Sequence, residues 1–367
     1  MIPLMKIHTP PNIGETLQKV FDSGFITEGE YSDKFEKQFG DYIQNSNVCL
    51  VNSCTSALTL AAHMCGIEKG DEVITTAMTC MATNEPFYNM GANLVFADIE
   101  KETGNIDVKD IEKKITKKTK AIVMVHWAGQ PCKLDEINDV ARKHNIKTVE
   151  DAAHALRSTY KGKRIGCHSD YVCFSFQAVK HLSTGDGGAI ACKSEDDARR
   201  IRKLRWFGLD RNYKSPPGLP PASRWEQDIT ESGYKFHMNN INASIGIEQM
   251  KYIDSLIDRH VENGKYYDRN IKNTKVSVLE RNNDFKSSYW IYTILVDDRP
   301  KFKKYLEQNG ISSDVAHVRN DQYSCFKQFS LKNDNLEYFD NHQINIPVGW
   351  WLSKEEREHI VTTINNY

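Results

Sequence analysis

Residues 171–192 read YVCFSFQAVKHLSTGDGGAIAC. The run at 171–176 is apolar at successive positions apart from Ser175, as expected of a strand covered on both faces. Lys180 stands just past its end, and the turn TGDGG then leads into a second strand, AIAC. Working outward, further short apolar runs occur at NVCLVN (47–52), DEVITTA (71–77), ANLVFADI (92–99), AIVMVHWAG (121–129) and IKTVED (146–151). Helical stretches such as SALTLAAHMCGI (56–67) separate them. This rhythm predicts an α/β fold, a mostly parallel sheet between helices, with ligands gathered at the carboxyl ends of its strands.

Beyond residue 242 the pattern changes. The spacing of Ile245, Met250, Ile253, Leu256 and Ile257 predicts one long amphipathic helix over about 242–270, after a Pro-rich loop, KSPPGLPPAS (214–223). We read this helix as the bridge from a large domain, 1–250, to a smaller C-terminal α+β domain, 251–367. Strands VSVLE and SYWIYTILVDD, the helix KFKKYLEQNG and a last helix from Ser353 belong to the smaller unit.

The 367 residues are too many for one compact core, which agrees with two domains. A formal net charge of -1 gives no electrostatic case for nucleic acid or an acidic membrane. No apolar run is long enough to cross a bilayer. The start, MIPLMKIHTPPNIGE, has no extended apolar segment, so a cytoplasmic protein is expected. The nine cysteines include no C-x-x-C pair and several sit in apolar runs. They read as reduced buried thiols, and no metal site is expected.

Three local features carry chemistry. Ser53, Thr55 and Ser56 lie in the turn between a strand and a helix, where hydroxyls and first-turn N–H groups suit a phosphate. Asp151 ends the strand IKTVED, where an unpaired carboxylate is costly and ligands bind. Lys180 follows a buried strand, where desolvation favours the neutral amine. Taken singly, each has an ordinary reading: a helix cap, a second cap and a surface lysine. Taken in order they supply a phosphate turn, a carboxylate for a ring nitrogen and an amine for an aldehyde, which is what pyridoxal phosphate requires.

With these motifs the sequence resembles the DegT/DnrJ/EryC1/StrS family, the sugar-type pyridoxal-phosphate aminotransferases of fold type I. The resemblance runs nearly end to end, through SGFITEGEYSDKFEKQF, VNSCTSALTLAA, GDEVITTAMTCMATNEPFYNMGANLVFADIE, VEDAAHA, FSFQAVKHLSTGDGGAI, LRWFGLDR and GYKFHMNNINASIGIEQM. It implies that Lys180 holds the cofactor as a Schiff base and that Asp151 pairs with the pyridinium nitrogen. His154 falls near the ring oxygen, and Thr55, Ser56 and Ser175 match phosphate contacts. Lys235 and His237 match a segment that reaches the neighbouring subunit's cofactor in a shared-site homodimer. The family usually places an aromatic residue on the cofactor ring where this chain has Cys80.

L-glutamate is the donor the resemblance implies, and a nucleotide-linked 4-keto or 3-keto 6-deoxysugar the acceptor. Thr27, His317 and Arg319 are its candidate contacts, with a small phosphorylated ketone as the alternative acceptor. Family dehydratases replace the Schiff-base lysine by His. Here Lys180 is present and His181 follows it, which favours transamination over dehydration or a non-catalytic role.

Overall fold

The computed structural model describes residues 1–211, 213–214 and 224–367. Seven strands form the central sheet: Val48–Val51 (β1), Glu72–Thr76 (β2), Asn93–Ala97 (β3), Thr119–Val125 (β4), Lys147–Asp151 (β5), Tyr171–Ser175 (β8) and Gly188–Cys192 (β9). Two short strands, Thr159–Tyr160 (β6) and Lys163–Arg164 (β7), lie between β5 and β8 and pair with Phe285–Lys286 (β11) in a small separate sheet. Across the central sheet the order is β1-β9-β8-β5-β4-β2-β3. β2, β3, β4, β5 and β8 pair in parallel, while β9 runs antiparallel to both β1 and β8.

Alternation along these strands builds two cores. Cys49, Val73, Val123, Val149 and Cys173 face one helical layer, and Leu50, Ile74, Met124, Val172 and Phe174 face the other. Glu150 and Asp151, adjacent at the end of β5, therefore point to opposite faces. Glu150 is fully buried and accepts a 2.8 Å hydrogen bond from Nε2 of His126. The backbone N–H of Cys132 donates to the other ring nitrogen, which fixes the donor role of Nε2. Burial alone would raise the Glu150 carboxyl; His126 instead holds it below its ordinary value.

The single helix expected over 242–270 is two helices, Asn240–Met250 and Ile253–Asn270, broken at Lys251 and Tyr252. Apolar spacing continues across the break, so the sequence period does not register it. The C-terminal sheet joins Val276–Val278 (β10), Tyr292–Val296 (β12) and Gln343–Ile346 (β13) in the order β10-β12-β13. Its core, with Tyr267, Ile294, Phe302 and Ile360, also takes in Ile2 from the other end of the chain. Ile2 bridges to Ile311. The helix expected from Ser353 is Lys354–Asn365, with Ser353 and Glu356 forming a reciprocal cap. Of the Pro-rich loop expected at 214–223, all but Lys214 lies outside the described residues. No described helix is long and apolar enough to cross a membrane.

Candidate active site

The strand ends converge on Gly188. Val51 at the end of β1 and Ser175 at the end of β8 both pair with it, and Asp151 pairs with Cys173 one strand over. A Cβ at Gly188 would lie 2.6 Å from the N of Cys54 and 2.7 Å from the O of Phe174. Only glycine lets the helix Cys54–Met64 set its N-terminus this close to the sheet. A cavity of about 440 Å³ opens there, lined by Thr55, Cys80, Asp151, His154, Ser175 and Lys180.

The anion end of the cavity is the start of that helix. Ser53 caps it, its Oγ accepting from the N–H of Ser56 at 3.0 Å. Ser53, Thr55 and Ser175 line the cavity. Ser56 is buried beneath it, and its hydroxyl donates to Oδ1 of Asn52 at 2.6 Å. Of the three hydroxyl residues read in this turn, Ser53 and Thr55 line the cavity and Ser56 does not.

Asp151 is 5 % exposed and doubly held. The hydroxyl of Thr83 donates to Oδ2 at 2.6 Å, and the N–H of Ala153 donates to Oδ1 at 3.1 Å. Lys180 lies across the cavity floor, where burial pushes its amine down to about 8 against the opposing pull of Asp151. Its Nζ sits 3.6 Å from the centroid of the Trp290 indole, whose Nε1 donates to the O of Val179 at 2.8 Å.

Trp290 also stacks on His154, with ring centroids 3.8 Å apart and planes at 14°, and His317 stacks on His154 at 5.5 Å. Burial, then the charge of Lys180, drives His154 well below its ordinary pKa and His317 to about 4, so both rings are neutral near pH 7. Nδ1 of His154 and Nε2 of His317 are buried without a hydrogen-bond partner. Buried polar atoms are usually paired, so these two leave capacity for a group bound in the cavity. An amine, a fixed carboxylate, a helix N-terminus and partnerless ring nitrogens around one chamber fit the aldehyde, ring nitrogen, phosphate and hydroxyl of pyridoxal phosphate.

Of the remaining candidates, only Cys80 lines the cavity; Arg319, Thr27, Lys235 and His237 do not. Arg319 is clamped by the buried Asp321 through two 2.6 Å hydrogen bonds, from Nε and Nη2. Thr27 is exposed, its carbonyl accepting from the N–H of Asn240 at 3.1 Å. Lys235 and His237 flank Trp206, with Nζ 6.0 Å from the ring centroid and the imidazole 4.2 Å from it. Cys80 is exposed and begins the helix Met81–Asn89. Thr83 and Trp290 escaped sequence reading altogether. Thr83 carries no local signal beyond helix pattern, and Trp290 reads as one more strand residue.

The family model for the DegT/DnrJ/EryC1/StrS aminotransferase family matches residues 10–365. The chain is similar to the GDP-perosamine synthase of Escherichia coli O157:H7, 32% identical, with 96% of this chain and 94% of that one covered. Its fold is similar to the crystal structure of the sugar aminotransferase CalS13 from Micromonospora echinospora, with a TM-score of 0.94, 33% identity and 100% of both chains covered. It is also similar to a putative sugar aminotransferase, Spr1654 of Streptococcus pneumoniae in its PLP-form, with a TM-score of 0.90, 28% identity and 100% and 98% of the chains covered. A match of that extent makes the chain a member of the DegT/DnrJ/EryC1/StrS aminotransferase family, and an aminotransferase.

Proposed function

We propose that the protein moves an amino group from L-glutamate to the ketone of a nucleotide-linked 6-deoxysugar, using pyridoxal phosphate, as a cytoplasmic homodimer. The observation that carries this reading is the lowered amine of Lys180 in one cavity with the fixed carboxylate of Asp151. The acceptor class follows from similarity to relatives named for nucleotide-sugar and sugar chemistry.

Pyridoxal phosphate, when bound, supplies the electron sink for the pair left behind when the donor α-carbon loses its proton. Everything else falls to the chain. Lys180 would hold the aldehyde carbon and, once freed by the donor amine, its Nζ would take the donor's α-proton and deliver it to the cofactor carbon. A pKa near 8 lets one group accept and release that proton close to neutrality. Asp151, oriented by Thr83 and Ala153, would pair with the ring nitrogen. Neutral His154 would meet the ring hydroxyl, and Ser53, Thr55 and Ser175, which line the cavity at the helix N-terminus, would take the phosphate. Arg319 is paired with Asp321, which orders its loop.

The test loads the enzyme with glutamate and screens keto-sugar nucleotides for discharge of the amino form. Discharge by one of them with formation of the amino sugar is expected, and no turnover in Lys180→Ala. Discharge only by a small phosphorylated ketone would replace the acceptor class.

A further inference from the structure

A second chamber, of about 500 Å³, lies between the small sheet β6-β7-β11 and the helix Ile253–Asn270. Five cationic side chains line it: Arg157, Arg164, Lys265, Arg281 and Lys286. Asp258 and Asp268 are the carboxylates on its wall. Arg157 is satisfied by Asp258 at 2.7 Å, and Asp268 accepts from the hydroxyls of Tyr289 and Tyr292 at 2.6 and 2.7 Å. That leaves Arg164, Lys265 and Lys286 with no carboxylate partner among the described residues.

Arg281 is the most constrained of the five. Its guanidinium lies 4.7 Å from the Tyr289 ring centroid, and Nη1 donates to Oε1 of Gln130 at 2.6 Å. Nε is 3.5 Å from Oδ1 of Asp268, without hydrogen-bond geometry, and Nη2 has no acceptor among the described residues; both atoms are buried. Oγ1 of Thr159, on the same wall, is likewise buried and without a partner. Leaving such donors unmade is costly. Two neighbouring wall residues, Arg157 and Tyr289, also hold left-handed backbone at φ 66° and 49°, which bulky side chains avoid unless their surroundings enforce it.

A planar arginine with unspent donors, a hydroxyl and an excess of positive charge match a group with several charged oxygens. We propose that this chamber is a second ligand site, for a small molecule bearing phosphate or diphosphate. It is separate from the Lys180 cavity but shares a wall with it: Tyr289 faces this chamber, and Trp290, the next residue, lines the other.

Titration calorimetry of the cofactor-loaded enzyme with inorganic pyrophosphate, and in a second arm with a nucleoside monophosphate, tests this. Lys265 and Lys286 are exposed, so Lys265→Glu with Lys286→Glu should leave the fold intact. We expect binding of pyrophosphate, weakened at least tenfold in that double variant and in Arg281→Gln. Tighter binding of the nucleotide than of pyrophosphate would identify a nucleotide as the natural ligand; the reverse order would identify a simpler phosphate ester. No binding of either probe, or equal binding in wild type and the Lys265→Glu, Lys286→Glu variant, would overturn the proposal.

Discussion

Nζ of Lys180 rests 3.6 Å from the centre of the Trp290 indole, across 110 residues of sequence. The contact favours the charged form of an amine that burial pushes toward neutrality, so the two effects oppose each other.

Trp290→Phe keeps an aromatic packing surface but offers a weaker π-face. A cation–π contact is worth about 0.5–2 kcal/mol. The titration midpoint of Lys180 in the cofactor-free protein should therefore fall below about 8, read from the pH dependence of its labelling by an amine reagent. An unchanged midpoint would mean that the ring contributes nothing to the lysine's charge state.

Lys180 should also lower the stability of the cofactor-free fold. Its folded pKa, about 8, lies below the unfolded value of 10.5. Below pH 8 both states carry the proton and the folded one must bury it, so the penalty is fully present; it disappears as pH rises from 8 through 10.5, where only the unfolded chain holds the proton. Lys180→Met should then stabilise the cofactor-free protein at pH 7 by roughly 1–3 kcal/mol, with the gain vanishing near pH 10.5, in denaturant titrations at several pH values.

Glu150 gives the opposite dependence. Its lowered carboxyl stabilises the fold above the unfolded pKa, and that contribution fades as acid titrates it through the folded one. Glu150→Ala strands a buried histidine, and breaking such a pair costs about 3–5 kcal/mol. The folded variant should still retain cofactor, because Glu150 faces away from Asp151. Loss of cofactor absorbance in folded Glu150→Ala would contradict that separation.

Cys80 stands where the family usually stacks an aromatic ring, and its exposed side chain lines the cavity. Cys80→Phe should keep or slow cofactor loss on dialysis. Faster loss would show that the site is packed differently at this edge.

Lys235 and His237 lie outside their own chain's cavity, consistent with action on a partner's cofactor. Replacing both by Ala should weaken cofactor retention. Mixing that variant with Lys180→Ala should restore activity in part of the heterodimers, since one of the two sites is then complete. A fully active monomer in sedimentation would defeat the shared site.

The mostly parallel sheet was legible in the sequence alone, because strands buried on both faces must be continuous apolar runs, and so were Asp151 at a strand end and Lys180 in the turn just past one. Glycine at position 188 was visible but mute. Its meaning is the 2.6 Å approach of Cys54, a distance that exists only once the helix packs on the sheet. The break at Lys251, the Thr83 bond to Asp151 and the Trp290 contact with Lys180 were decided by tertiary structure. Local pattern reports which face a residue takes, whereas these depend on which distant element comes to meet that face. For the same reason the sequence shows the donors of Ser56 and Arg319, and only the fold shows that Ser56 donates to Asn52 and that Arg319 pairs with Asp321.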